Sequence, residues 1–138
     1  MIVDTGPLVA LALRTDPDHR RCVESAAEIA VGLVTTWPVF TEVAYLLGKR
    51  SGWEAQNRLF QVVLDGAISV EAPDDEMVAR MRELMRKYRD VPMDLADASL
   101  VALAERRGEV DMFTLDSDFE VYRVGRKAFR LWPKSTAG

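Results

Sequence analysis

One cysteine and one histidine are all that this chain of 138 residues has of those two types. The lone Cys22 cannot close an internal disulfide, which suits a reducing cytoplasm. With so few soft or imidazole ligands, a Cys/His zinc site is ruled out. His19 sits among charged neighbours and is a poor base for a Ser-His-Asp triad. There is no glycine-rich phosphate loop. Cationic surplus is missing too: 18 Lys and Arg stand against 22 Asp and Glu, a net charge of −4, so no overall field advertises nucleic-acid binding. The first thirteen residues lack the cationic start of a signal peptide. The apolar stretch from Ile29 to Gly48 is interrupted by Thr35, Thr36, Pro38 and Glu42, which argues against a membrane span. These absences lead us to expect a cytoplasmic protein with no membrane partner.

What is present is a regular alternation. Ile2-Val3, Leu33–Thr35, Ala67–Val70, Met112–Leu115 and Phe129–Trp132 are apolar runs too short for helices, the last an edge strand. Between them lie helical patterns: Pro7–Leu13, Asp16 to Ile29 with Asp16 as N-cap and Pro17 first, Val39–Arg50, Glu54–Leu64, Pro73 to Tyr88, and Asp94–Arg107 closed by Gly108. Cys22, Val23, Ala26 and Ile29 share a face expected to be buried, leaving His19, Arg20 and Arg21 solvated. Phe119–Tyr122 reads as one helical turn and Pro133–Gly138 as a loose tail. The length suits one domain, and about five short strands alternating with helices give an α/β fold around a mostly parallel sheet.

Four carboxylates stand where an apolar core is expected. Asp4 is the only charge in the first thirteen residues, Glu42 the only one between Ile29 and Gly48, and Asp97 the only one between Leu95 and Ala104. Asp116 ends the Met112–Leu115 run as Asp4 ends the first. Three of them have a modest alternative role, Asp4 and Asp97 as helix caps and Glu42 as a surface residue near a helix start, while Asp118, two residues beyond Asp116, is a candidate cap for the turn at Phe119. Asp94 competes for the capping role, because Asp94-x-x-Asp97 approximates a capping box and frees Asp97 to point elsewhere. Placement links the four, since strand ends and the helix starts that follow them share one edge of a parallel sheet, where such folds bind ligands. Convergent carboxylates repel and need protons or a cation to stay buried. An all-oxygen set selects hard ions such as Mg²⁺ or Mn²⁺, which activate water and stabilise charge on a phosphoryl oxygen. Thr5 is a candidate to orient Asp4 or a ligand water. If these four acids hold cations, the rest balance at 18 against 18, and a substrate groove depends on local cations, for which we nominate Arg14, Lys49 and Arg50.

Asp4-Thr5-Gly6 also matches the aspartic-protease triplet, but that chemistry belongs to an all-β fold and leaves three acids unexplained. A phosphatase with Asp4 as nucleophile would want a second Asp where Gly6 stands.

Taken together, Ile2-Val3-Asp4-Thr5, the internal Glu42, Leu95–Ala104 with Asp97, and Thr114-Leu115-Asp116-Ser117-Asp118-Phe119 resemble the PIN-domain nucleases, above all the small VapC-type toxins of toxin–antitoxin pairs. The likeness spans nearly the whole chain and rests on the order and intervals of the motifs. It implies a three-layer α/β/α sandwich and Mg²⁺- or Mn²⁺-dependent cleavage of RNA. By the same resemblance Asp4 and Asp97 are the principal metal ligands, Glu42 holds or polarises a water, and Asp116 completes the cluster. Asp94 and Asp118 are supporting acids. A homodimer and a cognate antitoxin that blocks the active-site groove are also implied. One departure is Gly6-Pro7, where the family often has Ser or another small residue after Asp-Thr. The alternative is a non-catalytic PIN-like module that binds RNA or protein; its mark would be a lost acidic position, and none is lost.

Overall fold

The computed structural model describes residues 1–134. Its main sheet has five strands: β1 (Ile2–Val3), β2 (Leu33–Thr36), β3 (Ile68–Glu71), β4 (Asp111–Phe113) and, numbered last in the chain, β7 (Arg130–Trp132). They lie in the order β3-β2-β1-β4-β7, and every pairing is parallel. The central strands are apolar on both faces. Ile2, Val3, Met112 and Phe113 are all fully buried, as expected for strands covered on two sides.

Six helices do the covering: α1 (Thr5–Ala12), α2 (His19–Glu28), α3 (Trp37–Ser51), α4 (Trp53–Leu64), α5 (Asp75–Lys87) and α6 (Leu95–Arg107). The chain steps outward from β1 through β2 to β3, then jumps back across β1 to β4. Right-handed crossovers therefore put α1–α4 on one face and α5–α6 on the other, giving the expected three layers. The reversal of strand order falls between β1 and β4, which opens a crevice at their carboxyl ends. Helix α6 is apolar nearly all round because it lies against the sheet on one side and α5 on the other. Gly108, at φ 62°, ends it in the left-handed conformation that other residues resist.

Several local expectations need correction. Asp16 does not cap α2, which begins at His19. One Asp16 oxygen accepts from the Asp18 N–H (2.9 Å) and the other pairs with Arg50 (2.9 Å). On the expected face of α2, Cys22 is buried and Ala26 and Ile29 pack half-buried against the core, but Val23 is 43 % exposed and Ser25 is buried in its stead. His19 is not freely solvated, since its Nδ1 lies 2.7 Å from the Ala10 carbonyl. Helix α3 starts at Trp37 rather than Val39, because Pro38 is tolerated in a first turn. Strand β4 ends at Phe113, two residues early, and the helical turn is a 3₁₀ segment at Ser117–Glu120 rather than Phe119–Tyr122. A small hairpin of β5 (Arg123–Val124) and β6 (Lys127–Ala128) turns at Gly125, φ 62°; two-residue strands carry no periodicity to read. In the expected loose tail Pro133 is buried, and residues 135–138 lie outside the described residues. No helix among the described residues is long and apolar enough to cross a membrane.

Candidate active site

Asp4 leaves β1 with extended backbone (φ −91°, ψ 174°), its N–H still donating to the Phe113 carbonyl across the sheet (2.9 Å). It does cap α1, as one carboxylate oxygen accepts from the Thr5 N–H at 2.7 Å. The other accepts from the Thr114 hydroxyl at 2.8 Å. Both bonds fix a carboxylate that is 6 % exposed. Capping and site-building are therefore not alternatives here: the turn that caps the helix also aims the acid into the crevice.

Asp97 reaches the same crevice from the opposite face. Asp94 is the N-cap of α6 and accepts from the Asp97 N–H (2.8 Å), which leaves the Asp97 side chain free of capping duty. Asp97 is also 6 % exposed, and its Oδ2 accepts from the buried Tyr122 hydroxyl at 2.9 Å. Asp116 follows β4. Its N–H donates to Thr114 Oγ1 (3.0 Å), and its own Oδ1 accepts from the Asp118 N–H (2.9 Å). Asp116, not Asp118, thus caps the 3₁₀ turn. Oxygens of Asp4, Asp97 and Asp116 all lie within 4.8 Å of one another.

Glu42 lines the same pocket, a space of about 280 Å³ that also touches Thr5, Gly6, Asp94 and Leu115. Thr5 donates its hydroxyl to Glu42 Oε2 (2.8 Å) and its N–H to Asp4, so one residue ties two acids together. A buried contact of 2.6 Å between the hydroxyls of Thr36 and Ser99 locks the start of α3 to the first turns of α6 and sets Glu42 relative to Asp97. Gly6 has a local reason: a Cβ there would meet Leu115 side-chain atoms at 3.3 Å, closer than they comfortably approach.

Electrostatics follow from burial. Asp4 is pushed up to about 6, chiefly by desolvation, with the charges of Asp116 and Glu42 adding and its two hydrogen bonds opposing. Asp97 is pushed up to about 8, again by desolvation first, then by Asp94, with Tyr122 opposing and Asp4 and Asp116 adding. Tyr122 is raised from its ordinary value by burial and by Asp97, so it remains the donor of that bond. The pocket thus holds more negative charge than it can solvate. A hard divalent cation fits the all-oxygen donor set and would relieve both acids.

Other nominated residues lie elsewhere. Helices α1 and α3 run away from the sheet's carboxyl edge, so Lys49 is about 10 Å further along α3 than Glu42 at 1.5 Å per residue. Arg50 pairs with Asp16, and exposed Arg14 follows the far end of α1. None of the three lines the pocket. Two residues that shape the site, Thr114 and Tyr122, carry little in the sequence to mark them. Thr114 had a weak signal in its place two residues before Asp116. Tyr122 had only the general need of a buried tyrosine hydroxyl for a partner.

The PIN domain family model matches residues 1–125. Ribonuclease VapC26 of Mycobacterium tuberculosis is 30% identical over 119 residues, 84% of this chain and 86% of that protein. The crystal structure of the Mycobacterium tuberculosis toxin VapC20, which cleaves the sarcin-ricin loop, superimposes with a TM-score of 0.82 over 87% of this chain and 92% of that one, at 22% identity. A toxin–antitoxin complex from Klebsiella pneumoniae gives a TM-score of 0.66 at 17% identity, covering 86% of this chain and 88% of that one. With a strand-order reversal that gathers Asp4, Asp97 and Asp116 and a family match over most of its length, the chain belongs to the PIN domain family.

Proposed function

We propose that this chain is a single-domain endoribonuclease that hydrolyses RNA phosphodiester bonds with the help of Mg²⁺ or Mn²⁺. The observation that carries this reading is the approach of three carboxylates to within 4.8 Å, two of them buried and pushed toward protonation. Such a cluster is costly unless a cation occupies it.

Asp4 from the end of β1, Asp97 from the first turn of α6 and Asp116 from beyond β4 are the residues that would hold the ion. Bound there, a divalent ion supplies an acidic water and charge compensation at the phosphoryl oxygens. Glu42 stands at the pocket wall with Oε2 held by Thr5, where its carboxylate would orient the attacking water and take its proton. Thr114 and Tyr122 hold Asp4 and Asp97 in place, the kind of support that ligating carboxylates need. Asp94 and Asp118 act through their neighbours, Asp94 by capping α6 and Asp118 through its N–H to Asp116.

By analogy with the toxins it resembles, we further propose that the chain is the toxin of a toxin–antitoxin pair, inhibited by a cognate antitoxin and acting as a homodimer in the cytoplasm. The purified chain is expected to cut RNA with Mg²⁺ or Mn²⁺, to stop in excess chelator, and to lose activity with Asp97→Asn. Undiminished cleavage in chelator overturns the mechanism. RNA binding with no cleavage under any divalent ion favours the non-catalytic reading.

A further inference from the structure

We propose that the pocket beside the carboxylates seats one unpaired nucleobase of the substrate, stacked on Trp37; this rests on the reading of the carboxylates as an RNA-cleaving centre. A space of about 620 Å³ opens alongside the acidic pocket and shares Glu42 and Asp94 with it. Its remaining walls are Trp37, Pro38, Thr41, Pro73, Leu95 and Ala96.

Three features name the occupant. The first is continuity: whatever strand lies across the carboxylates must leave through a neighbouring space, and Trp37 is only about 7.5 Å along α3 from Glu42. Charge is the second. No Lys or Arg lines the pocket, and its two charged residues are acids at the shared rim. A phosphate is therefore disfavoured, while a base offers a neutral ring to the walls and N–H groups to the rim acids. The third is the indole itself. Trp37 is 44 % exposed yet sits in the first turn of α3, edge-to-face with Phe40 at 5.0 Å, and Phe40 packs in turn on Phe60 at 5.4 Å. Its carbonyl accepts from the Thr41 hydroxyl (2.9 Å). A large aromatic surface presented on a rigid element suits base stacking, since little side-chain freedom is lost on contact. An apolar side chain of a partner protein would also fit the walls, and an inhibitor of the groove would cross the same carboxylates. The acids at the shared rim and the continuity with the cleavage centre favour a base, and the emission of Trp37 separates the two.

Stacking is expected to act on binding, not on chemistry. Trp37→Ala should raise KM for a single-stranded oligoribonucleotide by about fivefold to a hundredfold with kcat little changed. Trp37→Phe should recover most of the loss. In a chain carrying Trp53→Phe and Trp132→Phe, Trp37 is the only tryptophan, and its emission should be quenched by that RNA and less by an oligonucleotide with an abasic residue at the seated position. An unchanged KM in Trp37→Ala overturns the proposal. So does an equal loss in Trp37→Ala and Trp37→Phe, or an emission that ignores RNA and responds only to a protein inhibitor. Failure of the nuclease reading is a separate result, no cleavage by the unaltered chain, and the quenching experiment still reports on the base in that case.

Discussion

Neutralising Asp4 while keeping its shape should make the cation-free protein more stable. In the folded chain Asp4 titrates near 6 rather than at its ordinary 3.8, with burial as the main cause. At about 1.36 kcal/mol per unit, the ionised carboxylate costs the fold about 3 kcal/mol at neutral pH. Asp4→Asn removes that penalty but gives up one of two accepted bonds, from Thr5 or Thr114, at a cost of about 1 kcal/mol. The net gain is about 2 kcal/mol, or roughly 5–10 °C in Tm for a domain of this size. The sign reverses with pH. A raised folded pKa means the penalty is absent below about pH 4, grows between about 4 and 6, and is complete above 6. Thermal unfolding followed by circular dichroism in chelator, at pH 4 and pH 7.5, should therefore show the variant ahead only at the higher pH. Adding Mn²⁺ should then raise the Tm of the unaltered chain through preferential binding to the native state, and raise that of the variant much less. A variant that is less stable by the same margin at both pH values, or that gains as much from Mn²⁺, refutes the electrostatic account of this pocket.

Tyr122→Phe keeps the ring packed against Tyr88 and Phe119 but deletes the donor to Asp97; Mn²⁺ affinity measured by calorimetry should fall about 10- to 100-fold, and an unchanged affinity means the bond does not orient the ligand. Phe113→Ala, in the fully buried end of β4 next to the crevice, should cost about 3–5 kcal/mol in denaturant unfolding; a cost below about 1 kcal/mol contradicts the tight packing of this strand.

Asp4, Glu42 and Asp97 stood out in the sequence for one reason: each is the sole charge in an apolar run, and a charge in a segment bound for the core demands an explanation. The α/β alternation was equally plain, because short apolar strands and 3.6-residue periodicity are local properties of the chain. Gly108 and Asp94 announced the ends of α6 through cap chemistry that a few adjacent residues decide. What could not be read locally was anything that depends on two distant segments meeting. Tyr122 looked like part of a helical turn until the fold set its hydroxyl against Asp97, and Thr114 was a strand-end residue until β4 settled beside β1. Arg14, Lys49 and Arg50 are candidates by charge alone, and only the direction in which α1 and α3 run from the sheet edge carries them away from the carboxylates. Residue type and spacing determined which side chains are chemically out of place. The strand order β3-β2-β1-β4-β7 decided where they meet, because convergence depends on the path of the whole chain and not on any stretch of it.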